Sequence, residues 1–192
     1  MVYEHGRPKI ILEVIEPTAQ YAIFQKVIGT PAISSIRRNH GLEHATLHIL
    51  SQRYPKANLA GHSNTRGFWL LGNVSTEDVR SAVEEALRRM GAGEHNLAVH
   101  ANCGTNFVTA GTVAGIAGAL AMSGVGRRWN ERLERLPLAA SLATVALILS
   151  HPLGMKIQER VTTCGEPGSL QVVDIVPTRR GRIKAHQIIT RG

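Results

Sequence analysis

The residues from 40 to 44 form the pattern with the clearest chemical potential in this chain. They read H-G-L-E-H, an H-x-x-E-H motif, which is the inverted form of the helix signature of zinc peptidases. On an α-helix, His40 and His44 lie one turn apart on the same face, and Glu43 lies at the edge of that face. Two imidazoles and a neighbouring carboxylate can hold a divalent metal and keep a general base beside the reacting water. The motif therefore predicts two metal ligands, His40 and His44, and a catalytic base, Glu43.

An ordinary amphipathic helix with a solvated polar face is the alternative interpretation of this stretch. The polar stripe continues to His48, but it contains no lysine or arginine before Arg53. Solvated helix faces normally mix both signs of charge, so the composition of this stripe favours a metal site.

A second segment supplies the further donors that a zinc site needs beyond two histidines. Residues 100–103 read H-A-N-C, which places His100 and Cys103 three positions apart, where both side chains can reach one ion. We therefore predict a zinc site with the ligands His40, His44, His100 and Cys103. Each new donor has a plainer alternative, because His100 can cap a strand end and Cys103 can be an inert buried thiol.

The two segments together resemble a known family. The stretch R-N-H-G-L-E-H at 38–44, followed by H-A-N-C-G-T-N at 100–106, resembles the YqhQ-like bacterial membrane proteins, a family of predicted metal-dependent enzymes of unknown function. The resemblance covers about residues 37–125, and it implies that His40, Glu43, His44, His100 and Cys103 form the metal site. Asn106 stands where the pattern of the family leads us to expect serine.

Two mechanisms follow from the number of protein ligands. If His40, His44 and one of the downstream donors bind zinc, a coordination position stays open and Glu43 acts as general base in the hydrolysis of a peptide or amide bond. If all four donors bind, the shell is closed, the site is structural, and the protein is a membrane-anchored assembly factor without catalysis. The presence of Glu43 inside the motif favours the hydrolase.

The elements that must position these residues are predicted to form a small α+β domain over residues 37–105. A helix is expected from Asn39 to about Tyr54, a hairpin over 57–74, and a helix after the cap at Ser75. Residues 96–100 read as a further short strand, which gives the order α-β-β-α-β. Residues 1–36 are predicted to be a separate strand or interfacial segment.

Hydrophobic patterning after residue 100 predicts a transmembrane helical hairpin over residues 106–155. Residues 101–126 and 136–155 carry almost no charge, and each run approaches the roughly 20 residues needed to cross a bilayer. Two buried helices of a soluble protein are the alternative, but a chain of this size rarely has enough protein to surround them. Residues 156–192 are predicted to form a basic, β-rich tail with a hairpin.

The charge balance indicates which partners to expect. The chain has 22 Lys and Arg against 14 Asp and Glu, a net charge of +8, which suits anionic lipid head groups. Nucleic acid is not an expected partner, since three Phe, three Tyr and two Trp offer few surfaces for base stacking. We expect a bacterial inner-membrane protein whose termini are cytoplasmic, because a thiol ligand at Cys103 prefers a reducing compartment. A peptide or protein is the expected substrate.

Overall fold

The computed structural model describes residues 3–4, 7–8 and 19–192. Its strands occur in consecutive pairs separated by helices, and together they form a mixed α+β fold. In chain order they are β1 (Tyr3–Glu4), β2 (Arg7–Pro8), α1 (Ala19–Ile28), α2 (Pro31–Arg53), β3 (Ala60–Asn64), β4 (Gly67–Leu71), α3 (Thr76–Gly91), a 3-10 helix (His95–Ala98), α4 (Gly104–Ala121), α5 (Trp129–Leu149), α6 (His151–Ile157), a π-helix (Gln158–Thr162), β5 (Gln171–Arg180) and β6 (Ile183–Arg191).

The sheet is four-stranded and antiparallel, with the strand order β3-β4-β6-β5. Helix α2, which carries the H-x-x-E-H motif, packs against β3 and β4. The two hairpins predicted from the sequence are both present, but β6 pairs with β4 and joins them into one sheet. The tail after residue 156 is therefore built into the same sheet as residues 60–71. The domain limits at residues 36, 105 and 155 stay a prediction.

Helices α2 and α3 contribute the apolar core that covers one face of this sheet. Leu42 and Leu50 of α2 and Val83 of α3 are completely buried, together with Phe68 and Ile188 of the sheet. The hydroxyl of Ser75 accepts a hydrogen bond from the backbone N–H of Asp78, as the predicted cap requires. This bond fixes the first turn of α3. The apolar side chains that recur along the helix, among them Val79, Val83 and Met90, are buried on one of its faces.

Two local predictions were wrong. Helix α2 begins at Pro31 rather than at Asn39, since proline is tolerated in the first turn and Thr30 precedes it as the N-cap. Asn39 is instead buried inside the helix, where its side-chain amide donates to the carbonyl of Asn64 and accepts from the hydroxyl of Thr190. It ties α2 to the sheet.

The predicted strand at 96–100 is the second error, because His95–Ala98 form a 3-10 helix. The N–H groups of Leu97 and Val99 are satisfied locally, by the carbonyls of Glu94 and Asn96, so this segment has no need of a neighbouring strand. The order of this region is therefore α-β-β-α followed by a 3-10 turn. Residues 9–18 of the predicted N-terminal strand or interfacial segment lie outside the described residues.

The two uncharged runs form α4 and the pair α5–α6, and α4 packs against α5. At this contact, an ideal Cβ on Gly118 would lie 3.8 Å from the Cβ of Ala143, whereas an ideal Cβ on Gly111 or Gly115 would meet nothing within 4 Å. Within the described residues, no single helix is long and apolar enough to cross a membrane. Helix α5 and the segment His151–Thr162, which bend by 46° at their junction, meet that length and composition together.

Candidate metal centre

Three of the four predicted ligands meet in one place. His40 and His44 lie one turn apart on α2, and their ring centroids are 4.3 Å apart. Cys103, the residue immediately before α4, lies next to both rings. One donor atom from each of these three residues lies within 4.8 Å of the others. The Nε2 atom of His40 is 3.5 Å from the sulfur of Cys103. This is a donor set of two imidazoles and one thiol that zinc prefers.

Backbone carbonyls fix the orientation of both histidine rings. The Nδ1–H of His40 donates to the carbonyl of Thr162 at 2.9 Å, and the Nδ1–H of His44 donates to the carbonyl of Ala98 at 2.8 Å. A carbonyl can only accept, so in each neutral ring the lone pair is on Nε2. Histidines that bind metals are usually held this way, with the second ring nitrogen bonded to a carbonyl or carboxylate.

Cys103 is in a setting that favours its thiolate. Burial by itself raises the pKa of the thiol, but the contacts of its sulfur with His40, His44 and the backbone N–H of Thr105 outweigh that effect and lower the pKa to about 5. The sulfur also caps the N-terminus of α4, where the helix dipole favours negative charge. The thiol is therefore ionised at neutral pH and available as a metal ligand.

Glu43 is buried, with only 4% of its surface exposed, so the polar stripe of α2 is not a solvated face. Its carboxylate accepts a hydrogen bond from the hydroxyl of Ser63 on β3. Burial raises the pKa of Glu43, although the Ser63 hydroxyl and the positive charges of His40 and His44 oppose the change. A carboxylate with a raised pKa beside a donor cluster suits a general base.

Two glycines make room for these residues. An ideal Cβ on Gly61 of β3 would lie 2.6 Å from Cδ of Glu43, so glycine at this position leaves the space that the Glu43 side chain occupies. A Cβ on Gly41 of α2 would collide with the carbonyl oxygen of Cys164 and would lie 3.2 Å from the Cβ of Ala98. The glycine inside H-G-L-E-H therefore permits the close approach of the segment that orients His40.

The free energy of unfolding of the Gly41→Ala variant is expected to be lower by about 1–3 kcal/mol, because the added methyl group would push the backbone of Cys164 away from α2 in a packed region. The displaced segment includes Thr162, so zinc binding is expected to weaken as well. Chemical denaturation and zinc titration measure the two effects. Gly91→Ala is the matched control, since nothing lies within 4 Å of that Cβ position. Equal stabilities of the two variants would contradict the packing argument.

His100 lies beside the group of three rather than inside it. Its ring centroid is 6.0 Å from that of His44, and its Nδ1 accepts a hydrogen bond from the backbone N–H of Asn102. Burial, and then the positive charges of His44 and His48, lower the pKa of His100. The structure thus brings His40, His44 and Cys103 together and leaves His100 in the wall of the same cavity.

Gln158 and Asn106 hold the loop that carries His100 and Cys103. Gln158 is completely buried in the π-helix, where its amide accepts from the N–H of His100 at 2.5 Å and donates to the carbonyl of His100 at 3.0 Å. The amide of Asn106 donates to the carbonyls of His100 and Ala101. Sequence reasoning missed the role of Gln158, since one uncharged polar residue after an apolar run carries no distinctive signal.

A cavity of about 760 Å³ opens in front of the donor cluster. Its lining includes Glu43, His62, Ser63, His100 and Asn102 as polar groups and the apolar side chains of Ile36, Leu47 and Leu59. His48 does not line it, and its Nε2 lies 3.0 Å from the amide nitrogen of Gln52 on α2. A small molecule or a chain segment therefore has access to the donors, and to Glu43, from one side.

Comparisons with known proteins identify the family. A family model described as "Domain of unknown function (DUF6391)" matches residues 35–175. An uncharacterized protein of the cyanobacterium Picosynechococcus sp. is 36% identical over 150 residues, which cover 71% of this chain and 70% of that relative. No solved structure matches. These comparisons do not support the expected YqhQ-like membership. The chain belongs to the DUF6391 family.

Proposed function

We propose that this protein is a membrane-associated, zinc-dependent hydrolase of peptide or amide bonds, with Glu43 as its general base. The observation that carries the proposal is the convergence of His40, His44 and Cys103, whose donor atoms lie within 4.8 Å of one another. The carbonyl bonds that set both imidazoles in the same tautomer support it further.

Zinc fits this donor set better than the other common metals do. Calcium and magnesium take oxygen ligands, whereas two imidazoles and a thiolate suit zinc. Catalytic zinc sites have three protein ligands and keep one position for water or substrate, which agrees with three converging donors beside a cavity. When bound, zinc would acidify a water molecule and polarise the substrate carbonyl.

Glu43 moves the protons in the proposed reaction. Its carboxylate takes a proton from water as the water oxygen attacks the carbonyl carbon, and it returns a proton to the leaving amine when the C–N bond breaks. The Ser63 hydroxyl holds the carboxylate in place, and burial raises its pKa. The products are a carboxylic acid and an amine, so the reaction needs no oxidant or reductant.

Membrane association rests on the surface of the α4–α5 hairpin. Many of its large apolar side chains are exposed, which is costly in water but favourable in lipid. They include Phe107, Val108, Ile116, Leu120, Leu142, Val145, Ile148 and Leu149. Four arginines, Arg127, Arg128, Arg132 and Arg135, lie in or near the connection between the two helices and suit anionic head groups. We therefore propose that the protein associates with the bacterial inner membrane, and the thiol ligand at Cys103 is the reason to expect cytoplasmic termini.

Most of the protein is expected to stay in the pellet when bacterial membranes are extracted with alkaline carbonate, since the apolar hairpin inserts into lipid. A variant with aspartate at Leu120, Leu142 and Ile148 is the comparison, because those side chains are exposed and charges there oppose insertion. Recovery of the natural protein in the carbonate supernatant would exclude an inserted hairpin.

A closed, structural zinc site is the second candidate. The ring of His100 lies 6.0 Å from that of His44, close enough for His100 to become a fourth ligand after a small shift of its loop. Glu43 would then accept hydrogen bonds near the site without taking part in a reaction. Ligand variants separate the two candidates and are treated in the Discussion.

The purified protein is expected to contain about one zinc ion per chain, and removal of the zinc with a strong chelator is expected to lower its melting temperature. Binding to the folded state alone stabilises that state by linkage. Elemental analysis gives the stoichiometry, and thermal denaturation before and after readdition of zinc gives the stabilisation. A protein that holds no zinc at neutral pH, and that added zinc does not stabilise, would rule out both candidates.

A further inference from the structure

The edge of the four-stranded sheet next to the donor cluster is open. Strand β3 pairs with β4 on one side, and no strand of the described part of the chain pairs with its other side. A free strand edge presents backbone N–H and C=O groups at the spacing that another extended chain requires. Residues 57–63, which include most of β3, line the cavity in front of His40, His44 and Cys103.

The two edges of the sheet differ in how well they resist pairing. At the far edge, β5 contains Pro177, a bulge between Val172 and Asp174, and the charged pair Arg179 and Arg180. Proline, bulges and charged side chains are the features by which proteins block strand addition. Strand β3 reads A-G-H-S-N and pairs with β4 without a register shift, so it has none of these features.

The proposed general base lies directly on this open strand. Glu43 is bonded to the hydroxyl of Ser63, and its carboxylate rests on Gly61, where the missing Cβ leaves space for it. Any chain that pairs with β3 therefore runs past Glu43 and past the cavity that leads to His44 and Cys103. The apolar side chains of Ile36, Leu47 and Leu59 in the cavity wall can receive its side chains.

We infer that the substrate is an extended polypeptide segment that binds as an added strand along β3, with its scissile amide beside Glu43 and the donor cluster. This inference rests on the proposed hydrolase function and deepens it. An extended backbone alone offers donors and acceptors that match a strand edge, which favours a peptide over other amides. Recognition through the backbone also implies modest dependence on substrate sequence.

Hydroxamates test the inference because they bind zinc without being cleaved. The probes are acetohydroxamate and a capped tetrapeptide hydroxamate of alternating valine and threonine, both added to the zinc-loaded full-length protein. We expect the peptide hydroxamate to bind at least tenfold more tightly. It should also slow hydrogen exchange at the backbone amides within residues 60–64 that face away from β4. The amides of β5, the edge strand at the other side of the sheet, should exchange at an unchanged rate.

N-methylation of the peptide provides the second arm, because only every other residue of a strand faces its partner strand. Methylation of one alternate set of amides is expected to abolish the gain over acetohydroxamate, and methylation of the other set to preserve it. Equal effects of the two sets, or protection confined to places other than residues 60–64, would overturn the inference.

The result also distinguishes this inference from the proposed function. If acetohydroxamate binds in a zinc-dependent way and the peptide portion adds neither affinity nor protection, the strand-addition inference fails and the open zinc site stands. If neither hydroxamate binds to protein that contains zinc, the open site itself is wrong, and the inference fails with it.

Discussion

The Glu43→Gln variant is expected to keep its zinc and to hydrolyse peptides about 10²–10⁴-fold more slowly than the natural protein, the usual contribution of a general base. Glutamine has the same shape, and its carbonyl oxygen can accept the hydrogen bond from Ser63, so the fold and the donor cluster should not change. What the variant lacks is a group that can accept a proton from water. The effect should therefore fall on kcat, measured with an unfolded protein or an extended peptide as substrate.

The control for this variant is Glu84→Gln, which removes the same charge from an exposed position on α3. It should hydrolyse peptides at the natural rate. Zinc content measured on both variants separates a lost base from a lost metal. If Glu43→Gln retains full hydrolytic activity, Glu43 is not the base. If no variant and no natural protein hydrolyses any peptide while zinc is present, the closed structural site is the better account.

The second large effect concerns the ligands. The variants His44→Ala and Cys103→Ala are expected to bind zinc more weakly by on the order of 100-fold or more, since even the partners that orient ligands contribute 10–100-fold. His100→Ala should retain about one zinc per chain, because the donor cluster of the structure comprises His40, His44 and Cys103. Competition with a chromophoric chelator measures each affinity.

His48→Ala is the control for this series, because His48 lies on the same helix but outside the cavity lining. It should bind zinc as the natural protein does. If His100→Ala loses zinc to the same extent as Cys103→Ala, four protein ligands are present and the site is closed. Retention of zinc in Cys103→Ala would instead show that the thiolate is not a ligand, and it would leave the two histidines as an incomplete site.

Several features of the fold could be predicted from local sequence alone. The cap at Ser75 and the apolar spacing that follows it predicted α3, and turn residues predicted both hairpins. These patterns depend on residues close together in the chain, where helix and turn geometry is the same in any protein. The strand predicted at 96–100 was wrong because the conformation of so short a segment depends on which hydrogen-bond acceptors lie near it. Here the nearest acceptors are the carbonyls of Glu94 and Asn96, and they favour a 3-10 helix.

The arrangement of the sheet could not be predicted, since pairing between β4 and β6 joins residues more than a hundred positions apart. A hairpin pattern states that two strands pair with each other and says nothing about what pairs with their outer edges. The sequence therefore left the C-terminal hairpin as a separate tail. The structure instead makes β3 an edge strand beside the cavity, a position that only the order of all four strands defines.

By itself the sequence determined that His40, Glu43 and His44 share one region of a helix, because the period of 3.6 residues places them there whatever the rest of the chain does. Only the tertiary structure decided that Cys103 completes a group of three, that His100 lies beside it, and that carbonyls of Thr162 and Ala98 orient the imidazoles. Those contacts join segments 54 to 122 residues apart. They depend on how helices and sheet pack against one another, which no local spacing encodes.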